Sequence, residues 1–583
     1  MTKTEHLIKR QGLNLYAVSW GNPQKTPIVL VHGYPDNHSV WQKVAEQLAR
    51  KYYVVSYDVR GAGQSDKPTR TADYAMLHLA ADLQAVVNQL LPNRAFHLAG
   101  HDWGSIQSWE SVTSGPLQAR IASYTTISGP CLDHMGYWMR EHSLSSSLQD
   151  KAKVLKQVAS SWYIGMFQLP VLAPSAWNAG LDRLWPRYLQ YREGVETPDD
   201  NPSQRDDGKY GVQLYRANFR AKLLKPQQRR AQCPVQLIVP TQDNYVGTHL
   251  FDDLHRWVPQ LYRRDIRAPH WVPLTHPQLL AQWLDDFVRA VDSNQLDEKC
   301  AHLRVKPERE QLPLARKIAV VTGAGSGIGR ATALKLASQG AHVVCTDIDE
   351  TSAAATADAC RALGSEAWSQ AVDVSATKAM ETLARWVERE LGGADLVVNN
   401  AGVGFAGGVL DTSVTDWNRV LKVNLWGVIH GSRLFAEQMR RQQRSGHIVN
   451  VASAAAFAPN RKLAAYATSK AAVFMLSECL RAELAEHGIG VSAICPGLVS
   501  TNIVNTTTFA GVSEEEQARI RAKNDALYRK RNLTPDAVAE AIYDAIRHNH
   551  AVTLVGTEAS ALRLTHRLAP ALSRELAKLD LAY

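Results

Sequence analysis

Two short segments of the chain carry residue types that can do covalent or proton-transfer chemistry. In the first half, Gly100-His101-Asp102-Trp103-Gly104 places an aspartate between two glycines. Such glycines are needed where a nucleophile is held at a tight bend between a strand and a helix. In the second half, Tyr466 and Lys470 are four residues apart, so they share one helical face, where the ammonium can lower the pKa of the phenol. The spacing predicts two active sites on one chain of 583 residues.

The predicted nucleophile of the first site is a carboxylate. A carboxylate attacks saturated carbon to form an ester, which suits epoxides and alkyl halides better than amides. Hydrolysis of that ester needs a general base and an orienting acid. Asp102, Asp243 and His270 follow one another in the order nucleophile, acid, histidine that α/β-hydrolases use. We expect these three residues to form a catalytic triad, with the backbone N–H groups near Tyr34 and Trp103 as the oxyanion hole.

Residues 5–290 resemble the epoxide hydrolases of the α/β-hydrolase fold. The first shared motif is His32-Gly33-Tyr34-Pro35. Two further motifs lie in the predicted cap, where Tyr163 precedes Phe167-Gln168-Leu169-Pro170 and Tyr215 precedes Arg216. The resemblance implies that Tyr163 and Tyr215 hydrogen-bond to the epoxide oxygen and protonate it. Haloalkane dehalogenases usually have asparagine at the third position of the first motif, where this chain has tyrosine, which argues against that related activity.

The second active site is predicted beside a glycine-rich turn. The segment 322–329, Thr-Gly-Ala-Gly-Ser-Gly-Ile-Gly, follows a strand and opens a helix, the context in which backbone N–H groups approach a pyrophosphate. Asp347 ends the next predicted strand, where a carboxylate accepts hydrogen bonds from ribose hydroxyls and repels a 2′-phosphate. Since neither Ser326 nor Ile348 is basic, we expect NAD to be preferred over NADP.

Residues 314–555 resemble the short-chain dehydrogenase/reductase family, whose signatures occur here in order. The resemblance implies that Tyr466 is the acid and base and that Lys470 binds ribose and tunes Tyr466. It also implies that Ser453 holds the substrate oxygen and that Asn424 anchors a proton-relay water. The cofactor-binding residues that it implies, besides Tyr466 and Lys470, are Gly323, Ser326, Gly327, Ile328, Gly329, Asp347, Asp373, Val374, Asn400, Ala401, Gly402 and Thr501.

Both halves are predicted to be α/β folds. Apolar runs that alternate with helical spacing are typical of a parallel sheet with crossover helices. This pattern gives way at about 131–230 to a helical segment rich in Trp, Tyr and Leu, which we interpret as a cap over the carboxyl edge of the first sheet. We predict an α/β-hydrolase domain over 1–291, a charged linker over 292–313, and a Rossmann-fold dehydrogenase domain over 314–583.

Composition and charge narrow the partners. The chain is 45% apolar and 21% charged, as in ordinary globular proteins. Its net charge of +9 is dispersed and no nucleic-acid motif is present, so we expect no nucleic-acid binding. In the stretch 131–232, 15 Lys and Arg face 10 Asp and Glu. A basic surface near a substrate entrance would favour acidic substrates or an anionic membrane surface, but we expect an ordinary solvated face. Seven cysteines without a CxxC pair predict no disulfide framework and no metal site.

The termini bear on location and assembly. The first residues lack the apolar core of a secretory signal, and no run of 18 apolar residues occurs, so we expect a cytoplasmic protein. Near the end, leucines recur at helical spacing among Arg and Lys, which predicts a helix that contacts an anionic membrane or packs on a partner subunit. A homo-oligomer formed through the dehydrogenase domain is also expected. The leucines are Leu564, Leu568, Leu572, Leu576 and Leu579.

The order of the two predicted sites resembles that of the fusions in which an epoxide hydrolase precedes a short-chain dehydrogenase, over nearly the whole chain. We therefore predict a bifunctional enzyme of lipid metabolism. Its first half would convert an epoxide to a vicinal diol through an ester on Asp102, and its second half would oxidise or reduce a related alcohol or ketone with NAD(H). A hydrophobic or lipid-like substrate is expected. Two alternatives stay open for the first half: a lipid-binding module, or a hydrolase of lactones or halides.

Overall fold

The structure is a computed structural model, and it falls into two compact units, Met1–Val305 and Lys306–Tyr583. The division between them lies inside the segment predicted as a linker. Before the division, Cys300 and Leu303 are buried against the first unit. The residues that the structure describes are 3–10, 12–198, 201–501, 503–531 and 533–578.

The first unit is built on an eight-stranded sheet. In chain order its strands are β1 (Lys3–Arg10), β2 (Leu13–Trp20), β3 (Pro27–Val31), β4 (Tyr53–Tyr57), β5 (Phe96–His101), β6 (Ile121–Ile127), β7 (Val235–Pro240) and β8 (Leu261–Ile266). Their spatial order is β1-β2-β4-β3-β5-β6-β7-β8. Strands β3 to β8 are parallel, and β1 and β2 are antiparallel. Every residue of β3 and β4 is buried, since helices cover both faces of a parallel sheet.

Helices on this unit fall into three groups along the chain. The sheet is covered by α1 (Gln42–Leu48), α2 (Met76–Leu90) and α3 (Trp103–Thr113). Between β6 and β7 come α4 (Leu132–Leu144), α5 (Leu148–Ser160), α6 (Trp162–Gln168), α7 (Leu172–Ala176), α8 (Asp182–Glu193) and α9 (Gln204–Leu224). After β8 come α10 (Val272–Thr275), α11 (Pro277–Asp292) and α12 (Leu296–Lys299). The helices α4 to α9 lie in the segment that the sequence predicts to be a helical cap.

The second unit is built on a parallel sheet of seven strands. The strands of this unit are β9 (Ile318–Thr322), β10 (His342–Asp347), β11 (Ala367–Ala371), β12 (Leu396–Asn399), β13 (Phe405–Ala406), β14 (Gly446–Val451), β15 (Ile489–Pro496), β16 (Thr508–Phe509) and β17 (Val552–Val555). The main sheet has the order β11-β10-β9-β12-β14-β15-β17, and β13 pairs with β16. This order reverses between β9 and β12, as in doubly wound nucleotide-binding folds, whose ligands lie at the carboxyl ends of the strands there.

Helices alternate with these strands. They are α13 (Pro307–Glu310), α14 (Gly327–Ser338), α15 (Glu350–Ala362), α16 (Thr377–Leu391), α17 (Val414–Leu421), α18 (Gly427–Arg441), α19 (Ala464–Leu484), α20 (Ile503–Thr506), α21 (Glu514–Arg531), α22 (Pro535–His548), α23 (Thr557–Leu568) and α24 (Pro570–Leu576). Two buried apolar clusters lie on the two faces of the main sheet.

The C-terminal leucines do not lie on one continuous helix. Helix α23 ends at Leu568, and Pro570 begins α24, because proline cannot continue a helix but fits its first turn. Leu564, Leu568 and Leu572 are exposed, Leu576 is half-buried, and Leu579 lies outside the described residues. Among the described residues, no helix combines the length and the hydropathy that crossing a bilayer requires.

Candidate active sites

Asp102 lies at the turn between β5 and α3, as the glycine spacing predicts. Its φ is 51°, a strained value for a residue other than glycine. Backbone hydrogen bonds hold the turn, since Asp102 N–H donates to Ile127 O at 3.0 Å and Ile106 N–H donates to Asp102 O at 2.9 Å. A Cβ on Gly33 would lie 2.5 Å from Asp102 Cβ. The loop after β3 can therefore approach the carboxylate only with glycine at position 33.

The two oxygens of Asp102 face different partners. The backbone N–H of Tyr34 donates to Oδ2 at 2.9 Å, and Oδ1 lies 3.5 Å from His270 Nε2. Trp103 is the first residue of α3, so its N–H belongs to the donors at a helix start that have no partner within the helix. Of the two predicted oxyanion donors, Tyr34 N–H is therefore hydrogen-bonded to the carboxylate of Asp102. The other donor, Trp103 N–H, belongs to the next residue of the chain.

His270 lies between two carboxylates. Its Nδ1 is 2.8 Å from Asp243 Oδ2, and Asp243 Oδ1 accepts the N–H groups of Tyr245 and Val246 at 2.8 and 3.0 Å. Burial opposes a charge on His270, but Asp243 and Asp102 overcome it and raise the histidine pKa well above 6.5. Burial also opposes the charge on Asp243, yet the His270 partner and the backbone N–H bonds lower its pKa. The structure thus brings the three predicted triad residues together.

The two predicted cap tyrosines lie in one aromatic cluster beside the triad. The rings of Tyr163 on α6 and Tyr215 on α9 are 6.2 Å apart at 83°. Tyr215 lies edge-on to Tyr34 at 5.4 Å and to Trp103 at 4.9 Å. Burial, followed by the charge of Asp102, raises the pKa of both hydroxyls well above 10. Both tyrosines are therefore protonated at neutral pH and are potential donors to a substrate oxygen.

Two buried carboxylates next to the triad were not predicted from the sequence. Glu193 at the end of α8 is fully buried, and its Oε2 accepts the backbone N–H of His270 at 3.0 Å. Asp36 is buried and accepts Trp271 Nε1–H at 3.0 Å, and burial raises the pKa of Asp36 to about 7. Asp36 follows the His-Gly-Tyr-Pro motif directly, so its position was a usable signal. Glu193 has no sequence signal, because its contact depends on how the cap folds back on the sheet.

The glycine-rich turn of the second unit packs tightly against β12. A Cβ on Gly329 would lie 2.0 Å from Gly323 O, so α14 reaches this close to β9 only with glycine there. Thr322 Oγ1 accepts the N–H groups of Asn400 and Ala401 at 3.0 and 3.2 Å. These bonds align the end of β9 with the segment after β12, on either side of the sheet's reversal point.

A cavity of about 400 Å³ opens at this edge of the sheet. Its lining contains almost every residue that the resemblance implies for cofactor binding, and Ile348, Val372, Val403, Val423, Ile503 and Thr506 contribute too. Three implied residues are not part of the lining: Gly329, which lies in the first turn of α14, and Tyr466 and Lys470, which lie on α19. The implied residues in the lining are Gly323, Ser326, Gly327, Ile328, Asp347, Asp373, Val374, Asn400, Ala401, Gly402 and Thr501.

Asp347 is fixed at one rim of the cavity. Its Oδ2 accepts the N–H of Gly325 at 2.9 Å, which ties the acid to the glycine-rich turn. Two more acids follow, Asp349 and Glu350, and both are exposed. This rim is therefore acidic and fits a ribose with free hydroxyls better than a 2′-phosphate, which the carboxylates would repel.

Tyr466 and Lys470 lie one turn apart on α19, where Lys470 is buried and Tyr466 is half-buried. Lys470 Nζ lies 5.9 Å from the centre of the Tyr466 ring and donates to Val451 O at 2.9 Å. Burial lowers the pKa of Lys470 to about 8. Burial raises the pKa of Tyr466, and a hydrogen bond with Ser453 opposes that rise. The spacing predicts that Lys470 lowers the pKa of Tyr466, but this pKa is raised, because the effect of burial is the largest. The ammonium of Lys470 donates instead to the carbonyl of Val451.

Asn424 lies in a π-helical turn, Lys422–Trp426, between α17 and α18. Such turns occur often at functional sites. Asn424 is fully buried; its Oδ1 accepts Val403 N–H at 2.8 Å and its Nδ2 donates to Val403 O at 3.0 Å. Nδ2 also lies 3.3 Å from Ser469 Oγ, next to Lys470 in sequence. Asn424 therefore connects the cavity lining at Val403 with the helix that carries Tyr466.

Among the described residues, one group on the surface brings three metal-type ligands within 4.8 Å of one another: Asp544, His548 and His550. All three side chains are exposed. Asp544 pairs with the Nδ1 atoms of the two histidines at 2.9 and 3.5 Å. These contacts account for the close grouping of the three side chains.

Comparisons with known proteins agree with this arrangement. A model of the alpha/beta hydrolase fold matches residues 26–277, and a model of the short chain dehydrogenases matches residues 317–510. The chain is 39% identical over 577 residues to the "Probable oxidoreductase EphD" of Mycobacterium tuberculosis, covering 97% of each chain. This chain belongs to the same family of hydrolase–dehydrogenase fusions. The predicted fold class is confirmed for both halves, and the chain combines a hydrolase with a short-chain oxidoreductase.

Further similarities concern the second half alone. The 2,3-dihydro-2,3-dihydroxybenzoate dehydrogenase of Bacillus subtilis is 40% identical over 187 residues, which are 32% of this chain and 71% of that protein. Among solved structures, a short chain dehydrogenase/reductase from Burkholderia phymatum in complex with NAD is 35% identical. The match covers 46% of this chain and 96% of that one, with a TM-score of 0.41.

Proposed function

We propose that the first unit opens a hydrophobic epoxide to a vicinal diol and that the second unit oxidises an alcohol or reduces a ketone with NAD(H). The observation that most supports the first activity is that the two carboxylate oxygens of Asp102 have different partners. One oxygen is held by the N–H of Tyr34, and the other faces His270. A carboxylate held in this way can form an ester and then have that ester attacked by water.

In the first step, Asp102 Oδ1 attacks an epoxide carbon, and the bond between that carbon and the ring oxygen breaks. The ring oxygen takes a proton from Tyr163 or Tyr215, which are protonated because burial raises their pKa values. An alkyl ester on Asp102 and a neighbouring hydroxyl result. The aromatic rings around Asp102 favour a hydrophobic substituent on the epoxide.

In the second step, water hydrolyses the ester. Ester formation removes the negative charge of Asp102, so the pKa of His270 falls, because one of the two charges that raise it is lost. His270 then releases its proton to solvent, and the neutral imidazole takes a proton from water. The hydroxide attacks the ester carbonyl carbon, and Tyr34 N–H stabilises the negative charge that develops on Oδ2. Cleavage of the acyl bond releases the diol oxygen, which takes the proton held by His270. Asp102 is left as a carboxylic acid, and its proton returns through water to the phenolate of the cap tyrosine, so both residues are restored.

For the second unit, the fit of a dinucleotide rests on the close backbone approach at Gly329 and Gly323 and on the acidic rim at Asp347. When bound, NAD(H) accepts or supplies the hydride. Tyr466 takes the proton of the substrate hydroxyl during oxidation, or returns it during reduction, and Ser453 holds the substrate oxygen beside it. Lys470, once its ammonium turns from Val451 O towards the ribose and Tyr466, would stabilise the phenolate.

The experiment that tests the hydrolase chemistry traps the ester. In the variant His270→Gln, Asp102 still attacks a reactive epoxide such as styrene oxide, but water is no longer activated. Intact-protein mass spectrometry is expected to show that this variant gains the mass of one epoxide molecule. Peptide mass spectrometry after digestion should place the added mass on the peptide that contains Asp102.

The matched control is the double variant Asp102→Ala/His270→Gln, which must stay unlabelled. An equal adduct on the double variant, or no adduct on His270→Gln, contradicts the ester mechanism. Halide release from a chloroalkane, without turnover of any epoxide, would favour the alternative of a halide hydrolase. Saturable lipid binding without any adduct would favour a lipid-binding module.

A further inference from the structure

The outer surface of the cap is unusually apolar. Between Leu144 and Leu172, eight large apolar side chains are exposed, among them Leu148 at 82%, Leu155 at 71% and Trp162 at 68% of their full surface. A few exposed apolar residues are ordinary, but a dense group marks a binding surface. We call this group the cap patch. Its members are Leu144, Leu148, Leu155, Val158, Trp162, Leu169, Val171 and Leu172.

Helix spacing places part of the patch on one face of α5. Leu148, Leu155 and Val158 are seven and three residues apart, so their side chains fall within about 80° of one another around the helix. Gln157 lies on the opposite side and is buried; it donates to Tyr245 O at 3.0 Å and accepts Gly247 N–H at 3.1 Å. One side of α5 therefore holds the loop that follows Asp243, and the other side is exposed.

Helix α6 joins the patch directly to the candidate hydrolase site. Trp162 is exposed, whereas the next residue, Tyr163, is the cap tyrosine beside Asp102. Phe167, one turn further on, packs edge-on against Tyr34 and Tyr215 at 5.4 and 4.9 Å, and Leu169 returns to the exposed side. A molecule seated on the patch would therefore be separated from the site by the thickness of this one helix.

Charge indicates what covers the patch. The stretch 144–181 contains three lysines and one aspartate, and neither arginine nor glutamate. Lys151 and Lys156 are exposed on α5, while Asp150 is engaged by Ser145 Oγ at 2.7 Å. Leucine and tryptophan interspersed with lysine are typical of helices that lie in the interface of an anionic membrane. Contact surfaces between proteins are, in contrast, depleted of lysine at their centres.

We propose that the cap patch docks the first unit on an anionic lipid surface and that α6 admits lipid-dissolved substrates to Asp102 from that side. The docking itself does not depend on the proposed chemistry, whereas the route of the substrate rests on it. Three of the C-terminal leucines, Leu564, Leu568 and Leu572, form a second exposed apolar group, on the other unit, and they provide the comparison.

The experiment measures sedimentation of the full-length protein with sucrose-loaded vesicles. Wild type should bind vesicles of phosphatidylcholine and phosphatidylglycerol, and bind pure phosphatidylcholine at least tenfold more weakly. The cap variant Leu148→Gln/Leu155→Gln/Leu172→Gln has a helix-forming residue of similar size at each position. It replaces no residue of the triad and neither cap tyrosine. It should lose at least tenfold in vesicle partitioning, and Lys151→Glu/Lys156→Glu should lose the preference for phosphatidylglycerol.

The matched control is the tail variant Leu564→Gln/Leu568→Gln/Leu572→Gln, with three comparably exposed leucines. Its vesicle binding should equal that of wild type. The proposal is overturned if wild type does not bind, if the cap variant binds as wild type does, or if only the tail variant loses binding. It is also overturned if light scattering shows that the cap variant dissociates an oligomer, since the patch would then join two copies of the chain.

Two further readouts separate docking from chemistry. Unchanged thermal unfolding of the cap variant shows that its fold is retained. Turnover of a small water-soluble epoxide should match wild type, whereas turnover of a long-chain epoxide dissolved in the vesicles should fall with the loss of binding. If vesicle binding behaves as expected and no epoxide is turned over by wild type, the proposed function fails and the docking surface stands.

Discussion

Glu193 of the cap accepts the backbone N–H of His270 at 3.0 Å, so the last turn of α8 is hydrogen-bonded to the loop that carries the proposed general base. Burial raises the pKa of Glu193, and the charge of Asp243 adds to that rise, although His270 opposes it. A carboxyl group in this position fixes the His270 main chain while the side chain exchanges protons with water. The cap and the sheet are therefore coupled at the triad itself.

Replacing Glu193 tests this coupling. Glu193→Ala leaves the His270 N–H buried without its acceptor, which should lower the free energy of unfolding by about 1–3 kcal/mol. Because His270 is then less well positioned, ester hydrolysis should slow by about tenfold or more. Glu193→Gln keeps the acceptor oxygen and should restore both quantities to near wild type. Denaturant unfolding and single-turnover decay of the ester are the measurements.

Glu196→Ala is the matched control, since Glu196 is an exposed cap carboxylate three residues away. It should change neither quantity. If Glu193→Gln loses as much activity as Glu193→Ala, the negative charge rather than the hydrogen bond is what matters.

The pKa of His270 should depend on Asp102. In the resting protein both Asp243 and Asp102 raise it, so His270 stays protonated to a pH above the usual range for histidine. Asp102→Asn removes one of these charges and imitates the neutral ester. The His270 resonance in a proton–nitrogen NMR titration should then have its midpoint at lower pH than in wild type, with its assignment confirmed by its loss in His270→Gln.

His101 is an internal reference for that titration. Its Nε2 lies 2.9 Å from His270 O, and burial lowers its pKa to about 4, so its resonance should not titrate between pH 6 and 9 in either protein. A midpoint for His270 that is unchanged or higher in Asp102→Asn would show that the two side chains are not electrostatically coupled.

Cofactor choice should follow from Asp347. Because this carboxylate lies on the rim of the cavity and is followed by two exposed acids, NAD should bind several-fold or more tightly than NADP. Asp347→Ala should narrow that ratio by weakening NAD and relieving repulsion of the 2′-phosphate. Isothermal titration with both cofactors measures this without any substrate.

Glu350→Ala serves as the control for cofactor choice, since Glu350 is exposed at the start of α15. It should leave the ratio close to that of wild type. A native preference for NADP would contradict the assignment of Asp347.

The triad and the dinucleotide turn could be predicted because their geometry is local or is set by strand order. Asp102 lies between two glycines that a tight turn requires, and the carboxyl ends of parallel strands meet at one edge of the sheet. The pairing of His270 with Asp243 follows from that edge. The positions of these residues could therefore be predicted from turn geometry and strand order alone.

Contacts that depend on the cap could not be predicted in the same way. Glu193 reaches His270 only because α8 folds back over the sheet, and no spacing rule encodes that. The polar composition of the stretch 196–210 predicts a loop, yet α9 begins within it at Gln204, where two aspartates in the first turn favour a helix start. In the tail, the leucine spacing predicts one helix, whereas the structure has two. The second helix begins at Pro570, which cannot continue the first.

The remaining prediction concerns the two sites together, because a covalent fusion raises the concentration of one site's product near the next site. On the proposed function, hydrolysis at Asp102 would give a vicinal diol, and a diol carbon that bears hydrogen would donate a hydride once Tyr466 has taken the hydroxyl proton. The oxidised product would be an α-hydroxy ketone. When wild type is given a hydrophobic epoxide and NAD, absorbance at the NADH band should therefore rise after a lag.

Asp102→Ala should produce no NADH from the epoxide, and adding the diol should restore the signal in this variant, because its second site is intact. Tyr466→Phe is the complementary control: it should accumulate diol from the epoxide without forming NADH. The lag should shorten as dehydrogenase activity is raised relative to hydrolase activity, which mixing the two single variants in different ratios can test. If diols made by the wild-type hydrolase site never yield NADH, the two sites act on different substrates and the sequence of reactions is wrong.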